Sequence, residues 1–321
     1  MNPTARAFLS ESAPVPIDRP FTSSWAKAHG VDRRRLRGWV EAGLLISPVH
    51  GVLYAAQLPD SLDLRLACLR LVVPEHAVVT DRTAAWLHGA PMVLEPGANL
   101  QVPRVDLFLP PGGRIRRGVV RSGQRELFAS EIEELEGIRV TTQLRTMCDL
   151  GMKLPRKQAF GAMCMLLKVC DVTLEDLKHE AAVRFKGHRW VRQLRILIPL
   201  CDPRFGSPGE CVLAIIWIET PGLPAFEPQW EVRGPFGHYR LDLAVPDLLY
   251  AGEYQGEEWH GEDRVEADRE RCGWLERSEG WQIGYFYAVD VHGDGKRASD
   301  RLLVETAEAR RTYASRRRVV I

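Results

Sequence analysis

The sequence predicts a multi-domain α/β protein. Two patterns carry that class: a short helical stretch with an arginine run near the N-terminus, and a C-terminal stretch whose helix and strand signals run α-β-β-β-α-β. At 321 residues the chain is long enough for two or three separate cores. The reading divides it into a loose tail (1–20), a winged helix-turn-helix (21–58), a mixed α+β middle domain (59–200) and a C-terminal α/β core (205–321).

Composition narrows the classes. Forty-three basic residues stand against 42 acidic ones, so any nucleic-acid surface must be a local patch. The seven cysteines are scattered without a CxxC pair, which argues against a disulfide framework or zinc ribbon and for reduced thiols in a cytoplasm. The first twenty residues lack the long apolar core of a signal peptide, and the apolar run 211–218 is too short to span a bilayer. The expectation is a cytoplasmic protein with no membrane partner.

In the N-terminal segment Ser23 or Ser24 caps a first helix ending at Gly30, and Asp32 caps a second. Leu36, Trp39 and Val40 give the second helix an apolar stripe, and Gly43 stops it. Arg33, Arg34, Arg35 and Arg37 load its first turns. Two apolar runs, 44–46 and 52–54, bracket Pro48-Val49-His50-Gly51, a hairpin signal. Helix, turn, basic helix and wing make a DNA-docking module whose arginines face phosphates and bases; an amphipathic helix with a solvated arginine face is the plainer alternative. The segment resembles the N-terminal domain of antitoxins from type IV abortive-infection toxin–antitoxin systems. That likeness implies DNA as partner, with a toxin-like partner or self-association left open.

The middle block alternates. Helices are expected at 62–72, 80–87, 141–150 and 158–169, and strands at 106–109 and 118–121 around the turn Pro110-Pro111-Gly112-Gly113. Thr142, Arg145, Thr146 and Asp149-Leu150 resemble the same antitoxin-related proteins. His76, His88 and His179 lack ligand spacing and read as structural or surface histidines. Arg184, Lys186, His188, Arg189, Arg192 and Arg195 form a basic cluster, either a DNA-steering surface or a solvated helix face.

Beyond a loop at 201–206, Ser207-Pro208 with Glu210 reads as the cap and first turn of a helix. Strands follow at 226–232, 239–245 and 248–254, with Pro246-Asp247 turning the last two. A charged helix (262–277), a strand (281–288) and a final helix (296–313) complete the set. Alternation in a hairpin brings Asp242 beside Glu253, and two close carboxylates repel unless a cation lies between them.

An Asp near one strand end, a turn and Glu253-Tyr254-Gln255 resemble the PD-(D/E)xK nuclease core. Gly256 and Trp259-His260 look like the branch containing very-short-patch repair endonucleases, and the helix-strand order is similar to the restriction-endonuclease-like fold. The resemblance implies Mg²⁺ or Mn²⁺ held by Asp242, Glu253 and the Tyr254 carbonyl, activating water for phosphodiester hydrolysis. Glu210 is then a third carboxylate or merely a first-turn acid facing the helix dipole. Gln255 stands where the family has Lys and supplies hydrogen bonds without charge. His260 is either a general acid/base or a loop residue packed on Trp259.

In the 262–277 helix, Val265, Cys272 and Leu275 define the buried side, and Asp268 falls among them. A buried carboxylate needs a partner, so Asp268 is expected to pair with Arg271 or Arg264, and Arg271 to reach a phosphate. Together these readings describe a metal-dependent DNA endonuclease with a DNA-docking module, with RNA not excluded as substrate. The rival is a non-enzymatic, antitoxin-like DNA-binding regulator with a degenerate nuclease fold, for which Gln255 is the main support.

Overall fold

The structure is a computed structural model that describes residues 8–90, 103–109, 120–234, 237–256, 273–292 and 296–319. It is a mixed α/β chain of two compact units: Met1–Leu150 with Val169–Val172, and Gly151–Lys168 with Thr173–Ile321. None of the described helices is long and apolar enough to cross a membrane. The six described cysteines carry free thiols.

The first unit begins with β1 (Phe21–Thr22), α1 (Ser23–Ala28), α2 (Arg33–Glu41), β2 (Leu45–Ile46) and β3 (Val52–Ala55). The three strands form a small sheet in the order β1-β3-β2. Asp32 caps α2 by accepting the Arg35 N–H at 2.8 Å, and Gly43 ends it in the left-handed region at φ +68°. Leu36 is buried and Trp39 packs beside it, but Val40 is exposed, so the expected stripe is narrower by one residue. Arg33, Arg34, Arg35 and Arg37 all face solvent. The stretch read as a loose tail contributes to this core: Leu9 and Val15 are buried in it, and the Leu9 backbone exchanges hydrogen bonds with the Gln57 amide. Apolar side chains spaced through a Pro- and Ser-rich stretch suffice to pin it without regular structure.

The same unit continues through α3 (Leu62–Arg70), β4 (Val78–Val79), α4 (Asp81–Leu87), β5 (Val105–Leu109), β6 (Val120–Gln124), β7 (Ile132–Leu135), β8 (Ile138–Thr141) and α5 (Gln143–Lys153), whose last three residues are assigned to the second unit. Its five-stranded sheet has the order β6-β5-β4-β8-β7. β5 and β6 run parallel, where a tight turn between them would have made them antiparallel. The connecting residues 110–119 lie outside the described set.

Beside this sheet lies a buried ionic network. Arg125 grips both oxygens of Asp81 at 3.0 and 2.8 Å and donates to Asp149 at 2.6 Å. Arg145 donates to Asp149 at 2.9 Å and pairs with Glu131 at 2.6 Å. Asp81 is held at φ +51°, a strained setting for a residue with a side chain. His88 is also structural: its Nε2 lies 2.8 Å from the Thr141 carbonyl, and burial pushes its pKa down.

The second unit holds α6 (Arg156–Val169, save its last residue), α7 (Leu174–Ala182), α8 (Val191–Leu197), α9 (Pro208–Glu219), β9 (Glu227–Gly234), β10 (Gly237–Val245), β11 (Tyr250–Gln255) and β12 (Gln282–Tyr287). A long final helix spans Lys296–Val319. The sheet order is β12-β11-β10-β9, antiparallel except for the parallel β11–β12 ladder. A chain of rings joins α6 to α9 and the sheet: Phe160 to Phe205 (5.9 Å), Phe205 to Phe226 (6.4 Å) and Phe226 to Trp217 (5.3 Å).

Candidate functional site: carboxylates at the splay of β10 and β11

The site begins with a helix start. Ser207 accepts the Glu210 N–H at 3.2 Å and Pro208 occupies the first turn, so α9 starts where its capping residues dictate. This places Glu210, 8% exposed, over the preceding loop, where its Oε2 accepts the Gly206 N–H at 2.7 Å. Burial pushes the Glu210 pKa up.

The β10–β11 ladder pairs Val245 with Tyr250, Ala244 with Ala251 and Leu243 with Gly252, and goes no further. At the next step, side chains replace the ladder. The Asp242 N–H donates to Glu253 Oε1 at 3.2 Å, and the Tyr254 N–H donates to Asp242 Oδ2 at 2.9 Å. The structure thus brings Asp242 and Glu253 together where the two strands part. Gln255 follows two residues on in the same strand and is partly exposed.

A residue the sequence reading passed over joins them. Gln229 Nε2 donates to Glu210 Oε2 at 2.8 Å and to Asp242 Oδ1 at 3.1 Å, linking α9 to β10 with one neutral amide. Gln229 sits at φ +53°, the left-handed region, within β9. Strain of that kind persists only where surrounding contacts over-determine it. The signal was available only through register: Leu241 opposite Trp230 and Leu243 opposite Pro228 put Gln229 opposite Asp242.

The electrostatics follow from crowding. Asp242 has its pKa pushed up to about 8, first by burial, then by the charges of Glu253 and Glu210; the bonds from the Tyr254 N–H and Gln229 only partly offset this. Glu253 is itself 5% exposed. Lys168 is the cation that acts on this cluster through Glu210, whose pKa it lowers against the stronger effect of burial. The cluster's donors are hard oxygens, the kind that suit Mg²⁺ or Mn²⁺ with retained waters. Among the described residues, no group of three or more His, Cys, Asp or Glu is arranged to hold a metal ion. Close packing fixes the neighbourhood: a Cβ on Gly209 of α9 would overlap the Tyr254 ring.

His260, Arg264, Asp268 and Arg271 lie outside the described residues, as does most of the 262–277 helix expected to carry the last three. Arg33, Arg34, Arg35 and Arg37 belong to the first unit and Asp242, Glu210 and Glu253 to the second.

The comparisons with known proteins bear on the middle of the chain. Residues 76–200 match the model of the AbiEi antitoxin C-terminal domain. The match includes Thr142, Arg145, Thr146, Asp149 and Leu150, which supports the antitoxin likeness read from them, and it contains the whole Asp81–Arg125–Asp149–Arg145 network. Two proteins of Mycobacterium tuberculosis are also similar: uncharacterized protein MT2308 of strain CDC 1551 / Oshkosh and uncharacterized protein Rv2248 of strain ATCC 25618 / H37Rv. Each is 29% identical over 287 residues, covering 87% of this chain and 98% of the relative. The similarity to these proteins therefore extends well beyond the AbiEi-type segment.

Proposed function

We propose that the chain is a DNA-binding regulator of the antitoxin type, with DNA and a toxin-like protein as partners. The observation that carries this reading is the AbiEi antitoxin C-terminal domain match over residues 76–200. Upstream of it, a capped helix bears four exposed arginines and is followed by a two-stranded hairpin, a layout suited to groove docking with the hairpin as wing. Arg34 and Arg35 extend from the first turn, where phosphate and base-edge contacts are made. The test is a footprint on duplex DNA from upstream of the protein's own coding region. A sequence-specific footprint is expected, with Arg34→Ala/Arg35→Ala weakening binding at least ~10-fold and lowering the salt slope by about 1 per lost phosphate contact. Equal affinity in the variant, with its fold intact by circular dichroism, sinks the reading.

A second reading is favoured by one observation, the meeting of Asp242 and Glu253 at the strand splay with Glu210 linked through Gln229. In it the C-terminal unit hydrolyses phosphodiesters of DNA. A bound Mg²⁺ or Mn²⁺ would lower the pKa of a water and offset charge on the scissile phosphate. Asp242 and Glu253 would hold that ion, Gln229 and the Tyr254 N–H would orient the Asp242 carboxylate, and Gln255 would hydrogen-bond the attacking water. The absence of a cation at position 255 weakens anion stabilisation, so slow turnover is expected. Incubation of DNA with either metal decides it: no cleavage by wild type, or equal cleavage by Asp242→Ala, defeats the hydrolytic reading.

A further inference from the structure

The chain is almost neutral overall, yet no acidic residue occurs between Glu180 and Asp202. That interval carries Arg184, Lys186, His188, Arg189, Arg192 and Arg195. Lys186, His188, Arg189 and Arg192 are exposed, and among the described residues none of them pairs with a carboxylate. In their midst Trp190 is 50% exposed, and the Arg189 guanidinium lies over its ring, 4.7 Å from the centroid. Flanking it, Val183 and Ile196 are 64% and 51% exposed.

The support beneath is firm. Val191, Leu194 and Leu197 bury the inner side of α8, and Phe185 is 3% exposed. Gln193 Nε2 donates to the Gly151 and Leu154 carbonyls at 2.8 and 2.9 Å, and Arg195 donates to the Ala181 carbonyl at 2.6 Å. A fixed backbone therefore holds a large aromatic ring half in water, with the Arg189 guanidinium over it and exposed Lys186 and Arg192 within four residues of it along the chain. Protein surfaces that bind single strands combine the same two parts, cations that follow the phosphates and an aromatic face that receives a base.

We propose that residues 183–196 form a contact surface for an unpaired nucleic-acid strand, with Trp190 stacking on a base and Lys186, Arg189 and Arg192 neutralising phosphates. A duplex satisfies the cations alone, because its bases are already stacked on one another; an unpaired base gains the indole face as well. The proposal deepens the DNA-binding reading above, and it concerns a different surface from the arginines of α2.

The test uses the full chain and a labelled oligothymidylate, with fluorescence anisotropy over a series of salt concentrations. Trp190→Ala is expected to weaken oligothymidylate binding roughly tenfold while duplex affinity changes less than twofold; Trp190→Phe should retain most of the binding. Arg189→Gln/Arg192→Gln should lower the salt slope for the single strand by about 1.4, two contacts at about 0.7 each. Unchanged oligothymidylate affinity in both Trp190→Ala and the double variant overturns the proposal. So does wild-type binding to phosphatidylglycerol vesicles with none to the oligonucleotide. Loss of the duplex footprint in Arg34→Ala/Arg35→Ala with oligothymidylate binding intact supports a separate surface, whereas a footprint with no Trp190 effect leaves the regulator reading standing without this one.

Discussion

Asp149→Ala is expected to destabilise the protein by about 3 kcal/mol, because it takes one buried carboxylate away from two buried guanidiniums at once and leaves Arg125 with Asp81 and Arg145 with Glu131 as the carboxylate partner. The carboxylate is 1% exposed and receives Arg125 at 2.6 Å and Arg145 at 2.9 Å. Arg125 also holds the strained Asp81, so losing Asp149 loosens the start of α4 as well. The comparison is Asp60→Ala, which removes an ion pair with Arg65 whose carboxylate is 54% exposed; such a loss costs about 0–1 kcal/mol. Urea denaturation followed by circular dichroism separates them. Equal midpoints for the two variants would mean that the network contributes no more than a surface pair.

The second large effect is one of pH and metal. In the unfolded chain Asp242 ionises as an ordinary carboxyl, near 3.8, whereas in the folded protein its pKa is pushed up to about 8. Between those values the folded state binds a proton that the unfolded state releases, so stability falls as pH rises through that window and levels off above it. In chelator, the wild type should melt at a higher temperature at about pH 5 than above about pH 8, and Asp242→Asn should flatten that slope. If Asp242 and Glu253 hold a divalent ion, Mg²⁺ or Mn²⁺ should restore the melting temperature at the higher pH, by about 2.7 kcal/mol at a hundred times the dissociation constant. The variant should gain little. A wild type indifferent to metal at every pH would remove the physical basis for the hydrolytic reading.

How much of this was legible in the sequence depended on the range of the interaction. The Asp32 and Ser207 caps, the Gly43 stop and the β10–β11 hairpin are local signals, and each appears where its residues place it. Asp242 and Glu253 could be brought together on paper because a short turn separates their strands. Gln229 was missed because its role depends on strand register and a left-handed backbone, neither of which its neighbours announce. Arg125 is 44 residues from Asp81 and 24 from Asp149, and no period or spacing links residues that far apart. The parallel pairing of β5 and β6 escaped for a related reason: Pro-Pro-Gly-Gly is a turn signal, but pairing direction is decided by the whole sheet.

The ring chain from Phe160 through Phe205 and Phe226 to Trp217 sets a limit on dissection. Phe160 lies inside the stretch matched at 76–200, while its three partners lie beyond residue 200. A fragment excised at those borders would keep Phe160 and leave behind Phe205, the ring it packs against. Neither compact unit is one uninterrupted stretch of sequence, so the borders of the matched segment are not the borders of a compact unit.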